Sequence, residues 1–527
     1  MFYNSSDSFE FNECVSHGAC SISPNMNLMQ EIMFILLRQI AYYLLKLKDF
    51  NVEYKNIVYD IMFQVAFAES LKDFSETQIL ETFSHFYSNL VKVRKKYLSE
   101  CKNHEIGCRD LKNVLKFSAK TSLSDILKRG NKEFLQKYKK NKLSEKYNSE
   151  ILSSVIKSVC VNWINLHDYN RINNNVTIAV LNALNIFNFS NITSRKLKNY
   201  TDIIAKYDIE LLKEINKLQI EKFGKIQKTT VSTSTRHNKA ILVSGSNLND
   251  LKCLLDSLDE DIDVYTNGNL LVAHAYPLFK KYPRLKGHFG SGTLSTILDF
   301  ATFPGAIFLT RNETQNIEYL YRGRLFTTDK VVAKGVVKLD GNDFTPLINS
   351  ALQAKGFAKG QVRTPEIVGF DDEELSASLD KLLEKRPEKI FIVGLSNLSI
   401  DKLDYFKKFF WNMPKNTCAI SFSYNPEMEN VIHINIGNDY FLLYNALQIV
   451  FEKIPINSDK LVFFLTKCDV NSLSNMINLK NKGAKDIFLS DCPPLVINPA
   501  VLRAFTKLYN INEITTPKED LKKINLE

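Results

Sequence analysis

The stretch from Ala240 to Thr328 limits what this chain can fold into more than any other. In it, short β-branched or aromatic runs alternate with turns built on glycine, asparagine and proline. Ala240-Ile-Leu-Val-Ser-Gly245 reads as a buried parallel strand that ends in a glycine turn, and Asp263–Tyr265 and Ala306–Leu309 read as further strands. Asp250–Leu258 carries helical periodicity between the first two. The rhythm resumes with a strand at Lys389-Ile-Phe-Ile-Val-Gly394, a helix at Leu403–Trp411 and a strand at Thr417–Phe422. A helix at Phe441–Glu452 and a strand at Lys485–Leu489 follow. Open sheets of this kind place ligands in the crevice beyond the carboxyl ends of their strands. The loops after Gly245, Tyr265, Leu309, Val393 and Phe422 are therefore where chemistry is expected.

Upstream the period changes. Leu28–Leu47, Ile79–Val93, Leu123–Leu135, Ile151–Trp163, Val176–Phe187 and Asp202–Ile220 space their apolar residues as helices do, and no glycine occurs from Asn131 to Lys222. Asn173-Asn-Asn175 reads as a loop within this region. Thr229-Thr-Val-Ser-Thr-Ser-Thr-Arg-His237 reads as an exposed linker by composition. The expected architecture is multidomain: a helical N-terminal domain over residues 1–236, then two Rossmann-like α/β domains over 237–387 and 388–527.

Bulk properties exclude several classes. The chain has 527 residues, 45% of them hydrophobic, with a net charge of +10. That is a globular composition, and apart from Lys92–Lys96 and the Lys137–Lys146 region, which read as solvated helix faces, the lysines are scattered, which argues against nucleic acid. The apolar run Ile32–Leu37 is broken by Arg38 and Gln39, short of the ~20 residues of a spanning helix. The acidic start, Met1–Glu10, lacks a signal-peptide core. Nine cysteines without a disulfide rhythm fit a reducing compartment, so a cytoplasmic protein with no membrane partner is expected.

Four consecutive words stand out: Ala273-His-Ala-Tyr-Pro277, Lys280-Lys-Tyr-Pro283, Phe303-Pro-Gly305 and Arg324-Leu-Phe-Thr-Thr328. In order and near-spacing they resemble the hybrid-cluster proteins, also called hydroxylamine reductases or prismane proteins. The resemblance implies a helical first domain followed by two α/β domains, and an iron–sulfur–oxygen cluster at the strand-end loops.

The residues that would hold that cluster are where the likeness fails. Aligned by neighbouring words, the family's histidine falls on Ser246, its first glutamate on Asn269 and one cysteine on Glu313. A second cysteine falls on Ser396, a third at about Tyr424 and a fourth near Asn438 or Asp439. The second glutamate falls near Asp469. Of the four N-terminal cysteines that the family uses for another cluster, Tyr3 and Ser6 replace one pair, while Cys14 and Cys20 remain as residual metal candidates. Such clusters need thiolates for iron, with imidazole and carboxylate for the oxygen-bridged part. The resemblance therefore implies a degenerate, non-catalytic homologue without cofactor, acting as a binding or scaffold protein for an unknown protein partner. The rival expectation is an active hydroxylamine or nitric oxide reductase whose iron–sulfur cluster has unusual ligation. A hydrolytic reuse of the cleft has less support, since Ser246 and Ser396 have no identifiable base.

Four other features carry weaker expectations. Glu313, Asp439 and Asp469 together are a possible hard-cation site. His274 is expected to be structural. Cys14-x2-His17-x2-Cys20 and Cys101-x2-His104-x3-Cys108 mix zinc-binding residue types, but unpaired thiols are the expected reading. Gly287-His-Phe-Gly-Ser-Gly292 has the look of a phosphate cradle without the following Lys-Ser/Thr.

Overall fold

The computed structural model describes residues 24–524 apart from 67–75, 118–120, 141, 190–191, 260, 291–295, 311–322, 330–331, 333–334, 395–399, 438, 467, 469, 491 and 493–498. The chain divides into two compact units. One holds residues 1–211, 469–481 and 492–510, and the other holds 212–468, 482–491 and 511–527.

The first unit is helical. Helix α1 (Pro24–Lys48) packs on α3 (Glu76–Asn103), α4 (Leu123–Lys140) and α6 (Asn174–Asn185), and α2 (Lys55–Ala66) packs on α5 (Leu143–His167). The α2 helix was not anticipated, because its apolar spacing covers barely three turns. Leu28–Lys48 is long and apolar enough to cross a bilayer, yet 83% of its most apolar window is buried within the protein, as in a core helix. Helix α5 is buried nearly all round, which suits a central helix. Asn173, expected in a loop, is instead the N-cap of α6, its side chain accepting from Val176 N. Two later helices, α14 (Val470–Asn481) and α15 (Pro499–Tyr509), pack on α5. The long α7 (Ser194–Phe223) closes the N-terminal run.

The loop after α3 corrects the cysteine reading. Cys101 and Cys108 are joined by a disulfide across a separation of seven residues, with Cα atoms 5.8 Å apart. Cys468 and Cys492 are half-cystines too. Among the described residues Cys160, Cys253 and Cys418 are free. The Cys101/His104/Cys108 motif is thus neither a pair of loose thiols nor a zinc knot. His104 Nδ1 instead lies 3.0 Å from Glu100 O, and its ring packs on Phe50. Alkylation of denatured, unreduced protein should mark Cys160, Cys253 and Cys418 and spare Cys101 and Cys108. Labelling of the latter two, read by peptide mass, would remove the bridge.

The second unit contains two six-stranded, all-parallel sheets. The first has the order β4-β3-β2-β5-β6-β7, built from β2 (Lys239–Ser244), β3 (Ile262–Asn267), β4 (Leu285–His288), β5 (Ala306–Leu309), β6 (Leu325–Thr327) and β7 (Val337–Lys338). Strands β2, β3 and β5 are apolar-rich and buried along almost their whole length, as a parallel sheet covered on both faces requires. Helix α8 (Leu248–Asp256) follows β2, α9 (Thr296–Thr302) precedes β5, and α10 (Thr345–Gln353) packs against β2 and β5.

The second sheet has the order β11-β10-β9-β12-β13-β14. Its strands are β9 (Lys389–Val393), β10 (Thr417–Ser421), β11 (Val431–His433), β12 (Leu461–Leu465), β13 (Asp486–Leu489) and β14 (Asn512–Glu513). Helices α11 (Asp372–Glu384) and α12 (Ile400–Trp411) flank β9, α13 (Tyr440–Lys453) precedes β12, and α16 (Pro517–Lys523) follows β14. Phe391, Phe406, Phe409, Phe464 and Phe488 fill the core beside it. The helical domain followed by two α/β sheets agrees with the expected fold class.

The Ser/Thr-rich segment is not an exposed linker. Thr229–Val231 forms β1, paired antiparallel with β8 (Glu366–Val368), and Thr235 bridges to Gln361. Val231, Thr233 and Thr235 are buried while Thr230 and Ser232 are exposed. That period of two, carried by β-branched threonine, is a strand signal which composition alone conceals.

Candidate functional site

The carboxyl ends of β2, β3 and β5 meet in a buried polar layer. Ser244 Oγ donates to Asn267 Oδ1 at 2.9 Å, and Asn267 Nδ2 donates to Phe289 O at 2.7 Å and to Asp299 Oδ2 at 3.1 Å. Thr310 N donates to Ser244 O at 2.8 Å, and its hydroxyl accepts from Asn247 N at 3.2 Å. Hydrogen-bonding these side chains to one another is what permits their full burial. Gly245 allows the crossing: it takes φ +122°, and a Cβ there would stand 2.1 Å from Thr310 O.

The turn that carries Ser246 is built to start a helix. Asn247 caps α8, its Oδ1 accepting from Asn249 N at 2.9 Å and Asp250 N at 3.3 Å, while Ser246 itself is exposed. Asn269 is half-buried in the 3₁₀ segment Gly268–Ala275 that follows β3. On the same segment, His274 Nε2 lies 3.0 Å from Thr266 Oγ1, and His288 Nδ1 lies 2.9 Å from that oxygen. Thr266 has one hydroxyl proton, so at least one imidazole donates to it. Burial holds His274 down to about 4, opposed by a hydrogen bond to Gly287 O, and holds His288 down to about 3, helped by His274. His274 is thus a hydrogen-bonded structural residue, as expected. The Gly287 to Gly290 turn serves packing: a Cβ at Gly287 would meet Ser232 O at 2.0 Å.

At the second sheet, Ser421 Oγ donates to Tyr424 O at 2.5 Å, and the half-buried Tyr424 ring lies 6.0 Å from that of Phe410 on α12. Asp439 caps α13, its Oδ1 accepting from Leu442 N at 2.7 Å. Burial pushes its carboxyl up to about 6 against that bond and one from Phe441 N. The loop before Asp439 reaches the first sheet's segment: a Cβ on Gly437 would lie 3.2 Å from Val272 N, three residues past Asn269. The fold thus brings the Asn269 segment and the Asp439 loop together. Glu313, Ser396, Asp469, Cys14 and Cys20 lie outside the described residues, and with them two members of the possible cation site.

Two clusters escaped sequence reasoning. Asp250, in the first turn of α8, is pushed up to about 7 by burial and then by Asp329, with a Thr328 hydrogen bond opposing. Asp329 directly follows the Arg324-Leu-Phe-Thr-Thr328 word, and no residue pattern in the sequence ties it to Asp250. In the helical unit, the buried Asp208 accepts from Ser158 Oγ and Asn162 Nδ2, each at 2.6 Å, and Asn471 Oδ1 is 2.9 Å from the same serine oxygen. Burial raises the Asp208 carboxyl.

A thiolate-bound iron cluster does not fit the described positions. Ser246 offers a hydroxyl, Asn269 a carboxamide and Tyr424 a phenol, while Asn247 and Asp439 are occupied as helix caps. Among the described residues, no group of three or more His, Cys, Asp or Glu is placed to hold a metal ion.

Comparison with known proteins adds the lineage. The sequence model of the Prismane/CO dehydrogenase family matches residues 10–422. A hydroxylamine reductase of Methanocella arvoryzae is 30% identical over 318 residues, which are 56% of this chain and 58% of that protein. The match to that relative therefore spans less than two thirds of its length. A hydroxylamine reductase of Petrotoga mobilis is 25% identical over 546 aligned positions, covering 97% of this chain and 99% of that one. Among solved structures, the alpha subunit of acetyl-CoA synthase/carbon monoxide dehydrogenase aligns at a TM-score of 0.49 with 11% identity, over 96% of this chain and 83% of that one.

Proposed function

The chain belongs to the Prismane/CO dehydrogenase family, and from that premise we propose that it is a non-catalytic member, without an iron–sulfur cluster, that acts as a binding or scaffold protein. The observation that carries this reading is the donor set at the strand ends. Where a cluster would need thiolate, imidazole and carboxylate, the described positions present Ser246, Asn269 and Tyr424. The cofactor performs the electron chemistry in enzymes of this type, and the protein positions and tunes it. Loss of its ligands therefore removes the reaction while leaving the scaffold. A buried hydrogen-bonded layer from Ser244 to Asp299 keeps that scaffold rigid at the same strand ends.

The second reading is an active reductase with altered ligation. It is favoured by the near-complete alignment to the Petrotoga mobilis hydroxylamine reductase. Anaerobic purification separates the two. We expect colourless protein with iron and acid-labile sulfide far below stoichiometric, and no dye-linked hydroxylamine reduction above a heat-killed control. Stoichiometric iron with sulfide, or a rate that chelation during assembly abolishes, would establish the second reading.

A further inference from the structure

The strands of the second sheet are parallel, so the segments entering them emerge along one edge, opposite the carboxyl ends discussed above. Lys385 and Arg386 lead into β9, Trp411 and Lys415 into β10, and Lys460 into β12. Backbone bonds tie these entries side by side: Glu388 N donates to Asn416 O and Ile390 N to Lys460 O, both at 2.8 Å. Neighbouring strands lie about 4.8 Å apart, so the cations at their starts form a compact rim.

Among the described residues, Trp411 has no side-chain hydrogen-bond or ring partner. Its side chain is 87% exposed at the end of α12, whose buried face is formed by Phe406, Phe409 and Phe410. The other tryptophan, Trp163, is buried in the helical unit, with Nε1 donating to Thr177 Oγ1. Around Trp411, the exposed Lys407 stands one helical turn back, and the exposed Lys415 four residues on. Of the carboxylates at the rim, Asp404 pairs with Lys408, Asp459 pairs with Lys485 and Glu388 accepts from Asn416, which leaves Glu384 and Asp486 against five unpaired cations. Among the described residues, Lys385, Arg386, Lys407, Lys415 and Lys460 have no ion-pair partner.

We propose that this edge is a docking surface for an anionic phospholipid bilayer, with the Trp411 ring entering the headgroup region and the five cations facing the lipid phosphates and carboxylates. The chemistry favours lipid over the alternatives. A single indole beyond a rim of flexible cations suits an interface that accepts the ring at any lateral position. A single-stranded nucleic acid would call for a series of stacking rings along a groove. No spanning segment is needed, which is why hydropathy pointed to no membrane partner. The surface is at the opposite edge from the candidate site and stands independently of the proposed loss of catalysis.

The test uses the full chain and its own fluorescence, since Trp163 supplies a constant buried background. Vesicles of equimolar phosphatidylcholine and phosphatidylserine should shift Trp411 emission to the blue and carry the protein into the pellet, whereas pure phosphatidylcholine should do neither. Trp411→Ala should weaken sedimentation with the anionic vesicles while leaving the far-UV spectrum unchanged, and sedimentation equal to the wild type's would remove the ring from the interface. Lys385→Gln, Lys415→Gln and Lys460→Gln should each weaken sedimentation about fivefold, and together about a hundredfold. Raising salt toward ~1 M should release the protein, because screening then acts over only about 3 Å. An unshifted spectrum with anionic vesicles would overturn the proposal. So would binding that survives the triple variant, or an oligonucleotide or polyglutamate that perturbs Trp411 where vesicles do not.

Discussion

Gly245→Ala is expected to be the most damaging single-methyl change in the second unit, lowering its stability by about 4 kcal/mol or more. Two independent effects coincide there. The residue holds φ +122°, outside the regions open to a side chain, and an added Cβ would lie 2.1 Å from Thr310 O and 2.2 Å from Thr310 Oγ1. Thr310 cannot retreat without breaking its bond to Ser244 O, and with it the join between β2 and β5. Two other glycines separate the effects. Gly305→Ala meets Ala240 O at 2.0 Å and has no positive φ to lose, so it isolates the close approach. Gly268→Ala has φ +61° with its nearest neighbour 3.8 Å away, so it isolates the backbone term, about 1 kcal/mol. Urea unfolding followed by far-UV circular dichroism, read transition by transition because a chain of this size is not two-state, should rank them Gly245 > Gly305 > Gly268. A Gly245 variant no less stable than the Gly268 variant would mean that β2 does not cross β5 as described.

Much of this architecture was readable because buried parallel strands announce themselves. Lys389–Val393 and Thr417–Ser421 are short apolar runs bounded by glycine or polar turns, and the structure places both in the second sheet. Yet Leu461-Val-Phe-Phe-Leu465, an equally apolar run, was passed over and forms β12, which pairs with β9 and β13. No glycine closes it, and the turn signal rather than the apolar run had carried the neighbouring assignments. The Thr229–Val231 strand and the bridge at Thr235 were hidden for the opposite reason. Their alternation is Thr and Val against Thr and Ser, and polarity scales register little contrast between those faces.

The candidate site was legible by position and less so by role. Neighbouring words located Ser246 and Asn269 at strand ends, but Asn247 and Asp439 act through backbone N–H groups that no side-chain pattern reveals. The Cys101–Cys108 bridge needed the loop's closure to 5.8 Å, a distance that spacing does not supply. The Asp250/Asp329 pair needed β6 to lie two strands from β2 in the first sheet, which is a matter of sheet order.

The buried imidazoles should make His288→Gln a pH-dependent mutation. His288 is held down to about 3 and His274 to about 4, below the ordinary ~6.5 of an unfolded chain. In that interval the unfolded state binds the protons that the folded state refuses. The histidine contribution is therefore complete above pH ~6.5 and is lost as pH falls toward the folded values. Asp250 and Asp439 run the other way. Their folded values are raised to about 7 and about 6, so their contribution is complete below the unfolded ~3.9 and disappears as pH rises through the folded values. In the wild type the two pairs oppose each other across the mildly acid range, so each masks part of the other's slope. Removing one member exposes its slope. His288→Gln should be most destabilising near neutrality, with the penalty shrinking by about 2 kcal/mol on going to pH ~4.5. Asp439→Asn, which keeps a capping side chain, should show the reverse trend: the variant gains on the wild type as pH rises from ~4 to ~6. Urea midpoints of the second unit across this range decide the matter. If the His288→Gln penalty is the same at both ends, the imidazole titrates in the folded protein as it does in the unfolded chain, and burial does not hold it neutral.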